Sequence, residues 1–364
     1  MVIKKIFVEE EYINYPVVRS FSETLDLIPN PLENLQQLYE QIKYSIDPCG
    51  RGKEILLLTW NKGSFIKKCP GTKDYICCGY HILHIGSFCT MDCSYCILQS
   101  YFHPPVLTYF INQNDMLNEI DDLLSKSTTI RIGTGEFTDS LIWEDFSDST
   151  LALMQRFAMQ RHSVLELKTK TTAIAAFKHV RHNRKTIISW SLNTPHVITS
   201  QERGTSSLRA RIRAATQCQS WGYPLAFHFD PIVVYPGCEF DYEEVVEILF
   251  QSISADNIVW ISLGSLRFIP SLQHIIKKRF PDSNIIYNEF ITGTDAKMRY
   301  FKALRIRIYR HIFEKIKSYS SSTTVYLCME DKQVWGNSFG YTPEDSAELS
   351  QLLDRSARSI CDLE

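Results

Sequence analysis

The sequence predicts an α/β protein built on a partial, TIM-like (β/α)6 barrel with extensions at both ends. Three observations carry that expectation. From about residue 80 onward, short β-branched or aromatic runs alternate with amphipathic helical stretches, the pattern of repeated βα units and a parallel sheet. Six such runs fall within roughly 185 residues, too few for a closed eightfold barrel. Polar residues crowd the ends of five successive runs, where barrels of this kind build their sites.

In chain order, residues 1–75 do not continue the alternation and include the passage Ile28-Pro29-Asn30-Pro31, so they are expected to pack on the barrel as an N-terminal extension. The barrel itself is expected over 76–295, with strands at 80–85, 129–133, 164–169, 186–192, 224–234 and 257–263. Helices are expected at 115–124, 149–161, 206–221 and 242–254. Residues 296–364 form a C-terminal extension that opens with a helix in which Phe301, Leu304, Ile308 and Ile312 share one face. Its other face is basic: Lys297, Arg299, Lys302, Arg305, Arg307, Arg310, Lys315 and Lys317 meet only Glu314 along the sequence. This is either a solvated amphipathic helix or a phosphate-contacting surface.

Composition narrows the class. With 364 residues, 44% hydrophobic and 22% charged, the chain can bury a large core without disulfide staples. A formal net charge of -2 does not advertise nucleic-acid binding, so such a partner would need a local patch. No apolar run is long enough to span a bilayer, which needs about 18 residues, and no membrane role is expected. Eleven cysteines, an odd number, behind an N-terminus without a long apolar stretch suit a reducing cytoplasm.

Three of those cysteines form the most informative feature. Ser87-Phe88-Cys89-Thr90-Met91-Asp92-Cys93-Ser94-Tyr95-Cys96 is a Cys-x3-Cys-x2-Cys loop, able to ligate three irons of a cubane cluster and leave the fourth open. Electron-transfer clusters normally take a fourth protein ligand; an open iron suggests chemistry. A zinc site completed by Cys77, Cys78, His81 or His84 is the alternative, although zinc knuckles are usually paired Cys-x2-Cys units.

The strand ends supply further candidates: Gly133-Thr134-Gly135-Glu136-Phe137-Thr138-Asp139 after the second run, Lys168 and Lys170 on the third, and Ser189, Ser191 and Asn193 on the fourth. On the fifth, His228 and Asp230 occupy alternate positions and face one side. They could orient a substrate or relay a proton, or form a structural pair.

A cysteine loop after the first strand of a partial barrel, with an aromatic residue before its third cysteine, resembles the radical S-adenosylmethionine (SAM) superfamily. The resemblance implies a [4Fe-4S] cluster on Cys89, Cys93 and Cys96, with the methionyl group of SAM on the open iron and a 5′-deoxyadenosyl radical as the reagent. It also implies a flavodoxin- or ferredoxin-type electron donor. Within that superfamily the chain is similar to spore photoproduct lyase and its relatives from about residue 85 to 236. The similarity is carried by Tyr95-Cys96-Ile97-Leu98-Gln99, Thr138-Asp139, Thr169-Lys170, Ser191-Leu192-Asn193-Thr194 and Gly222-Tyr223-Pro224-Leu225-Ala226-Phe227.

By that resemblance Tyr95, Gly135, Glu136, Thr138, Asp139, Lys170, Ser191 and Asn193 belong around the cofactor, with Lys170 meeting its carboxylate. Tyr95 and Glu136 occupy the catalytic positions. The implied substrate is damaged DNA or a nucleotide carrying two thymines joined through a methylene, with Arg299 and Tyr300 available for phosphate contact and base stacking. Two departures stand out. Glu136 occupies the place of the cysteine that returns hydrogen to the product in the lyases, and Ile97 replaces a tyrosine. Cys77, Cys78, Cys238 or Cys328 could substitute, or the substrate could differ. A radical enzyme acting on a peptide or small metabolite, and a non-catalytic DNA-binding iron–sulfur protein, are the alternatives.

Overall fold

The computed structural model of the chain describes every residue except Met1, Pro70 and Lys73. Its larger sheet has eight strands: β1 (Ile66–Lys68), β2 (His81–Leu83), β3 (Arg131–Gly133), β4 (Val164–Thr169), β5 (Thr186–Ser191), β6 (Leu225–Ile232), β7 (Ile258–Ser265) and β8 (Val325–Leu327). They lie side by side in chain order, and every pair from β2 to β8 is parallel; β1 adds an antiparallel edge. The result is a curled half-barrel. Strands β2 to β7 are the six expected from the sequence, and β8 is a further parallel strand from the C-terminal stretch.

The strands read as apolar runs because both their faces are covered. All six residues of β5 and all eight of β7 are buried. Helices Gln113–Leu124, Ser149–Ala158, Leu208–Ser220 and Cys238–Ser252 form the outer layer, with bounds close to those expected. Ser207 starts the third of these by accepting a hydrogen bond from the Ala210 amide, which satisfies one of its free donors.

The divisions expected at residues 75 and 296 are both crossed by sheets. Strand Ile55–Thr59 is wholly buried and needs a neighbour on each side; it takes Lys5–Glu9 and Leu107–Phe110, and Gly86–Ser87 pairs beyond. A small antiparallel sheet joins Arg267–Phe268 and Phe290–Thr292 to Met298–Tyr300. The half-barrel's edges also meet, because the Ile76 amide donates to the Glu330 carbonyl at 3.0 Å.

The basic helix forms over Lys302–Tyr319 and buries Ile308, Tyr309, Ile312 and Ile316. Phe301 caps it and is exposed, outside the expected apolar face. Its cations are not unopposed. Lys302 pairs with Asp331 at 3.1 Å, Arg305 with Glu330 at 3.3 Å and Arg307 with Glu239 at 2.9 Å. Arg310 donates to the Asn337 carbonyl at 3.1 Å. Those partners come from other elements, so much of this charge docks the helix on the protein.

Candidate active site

A cavity of about 440 Å³ opens at the C-terminal ends of the parallel strands. Cys89, Cys93 and Cys96 line it, the first two buried and the third half-buried. Their loop is held from behind. The Lys53 ammonium, 1% exposed, donates to the carbonyls of Cys89 (2.9 Å) and Met91 and lies 3.6 Å from Asp92. Arg279 spans Asp47 at 2.9 Å, Asp92 at 3.0 Å and the Gln99 side-chain oxygen, while Gln99 donates to the carbonyls of Cys93 and Ser94. The loop's backbone is thereby pinned while its sulfurs remain available.

Burial pushes the Cys89 thiol up to about 12 and raises Cys93 as well. A thiolate at such a site needs a cation beside it, which the irons of a cluster provide. The Cys89 sulfur already accepts the Met91 amide at 3.4 Å. Among the described residues no three His, Cys, Asp or Glu side chains are placed to hold a single metal ion. A cubane puts each thiolate on a different iron and so holds them farther apart. The zinc alternative lacks its histidines: His84 is engaged by Lys67 and Ser87, and neither it nor His81 lines the cavity.

The loop after β3 completes the next part of the wall. A Cβ on Gly135 would come within 2.8 Å of Lys168 Cβ, so glycine is what lets this backbone lie against β4. Thr138 contributes a buried hydroxyl that has no hydrogen-bond partner among the described residues, a polar atom left for a ligand. Asp139 lines the cavity too, but its carboxylate accepts from the Leu141 amide (3.0 Å), Thr169 Oγ1 (2.8 Å) and the Lys170 amide (2.8 Å). It ties the two strand ends together, and burial raises its pKa against those donors. Lys170 and Ser191 line the same space, and the Lys170 ammonium forms no ion pair among the described residues.

Glu136 faces the cavity with Lys168, 3.5 Å away. Burial works against the Lys168 charge, but Glu136, Glu166 and Asp230 overcome it and raise the pKa. His228 bridges Glu166 (2.7 Å) and Ser262 (2.6 Å), making a polar row across β4, β6 and β7. Burial opposes ionisation of Glu166, yet the His228 imidazole carries its pKa down to about 2. Asp230 grips Arg267 with both oxygens, at 3.2 and 3.1 Å. Tyr95 is fixed by donating to Glu202, which in turn pairs with Arg211.

A profile of the spore photoproduct lyase family matches residues 77–328. The chain belongs to the spore photoproduct lyase family. Among curated relatives, the spore photoproduct lyase of Clostridium acetobutylicum is 27% identical over 237 residues, covering 64% of this chain and 68% of that protein. The Bacillus subtilis spore photoproduct lyase is 26% identical over 232 residues, 62% of this chain and 66% of the relative. The match thus spans about two thirds of each relative's length. In three dimensions, a spore photoproduct lyase mutant with dinucleoside spore photoproduct superposes with a TM-score of 0.76, at 19% identity over 90% of this chain and 98% of the other. A second mutant, with bound AdoMet and the same dinucleoside, gives 0.73. Membership makes this a radical SAM enzyme of the lyase type, and the shared half-barrel agrees with it.

Three expected residues lie outside the cavity wall. Asn193 is 1% exposed and already engaged, donating to the Pro231 carbonyl at 2.9 Å and accepting from the Tyr242 hydroxyl at 2.7 Å. Arg299 is buried under the small sheet, bound to Asp295 at 2.7 Å and lying 4.3 Å from the Tyr75 ring centroid. Tyr300 is fully buried, its hydroxyl accepting the Val234 amide at 3.1 Å. Arg299 and Tyr300 are therefore packing residues, because their stretch folds back as a strand instead of projecting outward. Conversely, Glu166, Arg267, Tyr80 and Tyr326 line the cavity without having been expected there. Glu166 was discoverable, as a carboxylate in an otherwise apolar strand two residues before Lys168 and so on the same side.

Proposed function

We propose that the chain uses a [4Fe-4S] cluster and SAM to reverse a methylene-bridged thymine photoproduct of DNA. One observation carries this reading: a single cavity joins the sulfurs of Cys89, Cys93 and Cys96 to the Thr138 hydroxyl, unpartnered among the described residues, and to Lys170 and Ser191. Cys89, Cys93 and Cys96 would hold three irons. Lys170 would neutralise the methionyl carboxylate, Thr138 and Ser191 would meet hydroxyl or amine groups, and Gly135 would keep the wall free of a side chain. When bound, the reduced cluster and SAM supply a 5′-deoxyadenosyl radical that removes hydrogen from C6 of the damaged base. Lys53, Arg279 and Asp139 hold the loops that define where that hydrogen must lie. The low-potential electron would come from a flavodoxin- or ferredoxin-type protein. Support for the substrate comes from the solved relatives, which carry a dinucleoside spore photoproduct.

The test is anaerobic reconstitution with iron, sulfide, dithionite and SAM, followed by assay for 5′-deoxyadenosine and undamaged thymine dinucleotide with a synthetic dinucleotide lesion. Lesion-dependent restoration of the undamaged thymine dinucleotide is expected. Absence of 5′-deoxyadenosine would sink the enzyme reading, and its formation without restored dinucleotide would remove the substrate assignment.

A further inference from the structure

Four more thiols, those of Cys69, Cys77, Cys78 and Cys328, line the same cavity as the cluster loop. They gather where the half-barrel closes, since the Ile76–Glu330 bridge brings the segment before β2 against the segment after β8. Cys238 is not among them: it is buried at the start of an outer helix beside Glu239.

The four are not equivalent. All four stand outside the strands, with Cys69 directly after the antiparallel edge strand β1 and Cys77 and Cys78 before β2. Cys328 stands directly after β8, at the C-terminal end of a parallel strand, and its sulfur accepts from Arg267 at 3.3 Å. Arg267 is fixed by both oxygens of Asp230, so that sulfur is oriented by a rigid pair at the cavity wall. Two residues earlier on the same side of the strand is Tyr326, also in the cavity. At Glu136, by contrast, the carboxylate has no hydrogen atom weakly enough bound to give away.

We infer that Cys328 is the hydrogen-atom donor to the product radical, with Tyr326 beside it; this rests on the reading of the chain as a thymine-photoproduct lyase. The step balances as follows. The S–H bond of Cys328 breaks homolytically, its hydrogen forms the third C–H bond of the thymine methyl group, and the unpaired electron stays on sulfur. One electron from the low-potential protein that reduces the cluster, with one proton from water, restores the thiol. Burial keeps the thiol well above its usual pKa, so the hydrogen is in place at neutral pH.

The experiment follows undamaged thymine dinucleotide restored per 5′-deoxyadenosine formed, in D₂O, for the wild type, Cys328→Ala, Cys328→Ser and Cys78→Ala. Wild-type thymine should carry methyl deuterium delivered from exchanged S–D. Both Cys328 variants should lower the ratio at least tenfold, whereas Cys78→Ala should not. A separate readout needs no cluster: in the unreconstituted chain, the dinucleotide lesion should slow amide hydrogen exchange in the peptide that carries Cys328, as located by mass spectrometry. A wild-type ratio in Cys328→Ala, the loss appearing in Cys78→Ala instead, loss of iron with Cys328, or unchanged exchange in the Cys328 peptide would each overturn the assignment. A wild type that cleaves SAM but restores no thymine dinucleotide would defeat the lyase reading itself and remove the ground for this one.

Discussion

The two cysteine-bearing walls of the cavity are built in different ways. The Cys89–Cys96 wall is one short loop, with its chemistry written contiguously and only its supports, Lys53 and Arg279, coming from elsewhere. The wall at Cys328 is assembled from Cys69, residues 77–80, Asp230, Arg267 and the end of β8 with Cys328. The first depends on residue spacing and the second on tertiary closure. The difference separates what should fail when residues are replaced: chemistry at the loop, geometry and outcome at the seam.

The largest break should come from the loop. Cys89→Ala, Cys93→Ala or Cys96→Ala should each abolish both cluster retention and 5′-deoxyadenosine formation, measured by iron content and chromatography. Full iron in any of them would refute the ligand assignment. Lys53→Met should come next, because it leaves the carbonyls of Cys89 and Met91 without their buried donor. A loss of about 3 kcal/mol is expected for such a broken buried charge arrangement, read from the urea midpoint of the apo chain, together with poorer iron retention.

On the strand ends, Glu166 gives a pH test. Its folded pKa of about 2 lies below the model-peptide value of 4.5, so its contribution to stability is complete above 4.5 and is lost as pH falls toward 2. Glu166→Gln should remove roughly 3 kcal/mol of that contribution near neutrality and flatten the acid limb of a stability–pH profile. An unchanged acid limb would mean that the Glu166–His228 pair is not coupled to folding. The smallest effect should be at the basic helix: Arg307→Ala breaks an exposed ion pair worth less than about 1 kcal/mol. If the helix is a docking element, the salt dependence of DNA affinity should hardly move; a slope reduced by about one would restore the phosphate-contacting reading.

The same contrast explains how much the sequence revealed. Strands β4 to β7 were legible because each is a run of six or eight largely apolar residues, and the short β2 and β3 because they keep the βα alternation. Thr138, Lys170 and Ser191 were expected near one another because they stand at strand ends, and they line one cavity. Strand β8 is as short as β2 and β3 but follows the long helix Lys302–Tyr319 outside the βα alternation, and so was hidden within the expected C-terminal extension. Lys53 lies 36 residues from Cys89 and nothing local marks it. Asn193 was misplaced because its partners, Pro231 and Tyr242, come from later elements. Arg299 and Tyr300 suggested an exposed basic-aromatic edge, but Asp295 and Val234 draw both inward.

The bridge between Ile76 and Glu330 also means that one side of the chamber is made of chain synthesised last. A nascent chain that has produced the Cys89–Cys96 loop and six parallel strands still lacks β8, and with it one side of the chamber. The cysteine loop itself is covered by other elements, packing with Val197, Val233, Leu266 and Phe268. Docking of a three-residue strand adds Tyr326, Cys328 and Met329 to the chamber on which that loop opens.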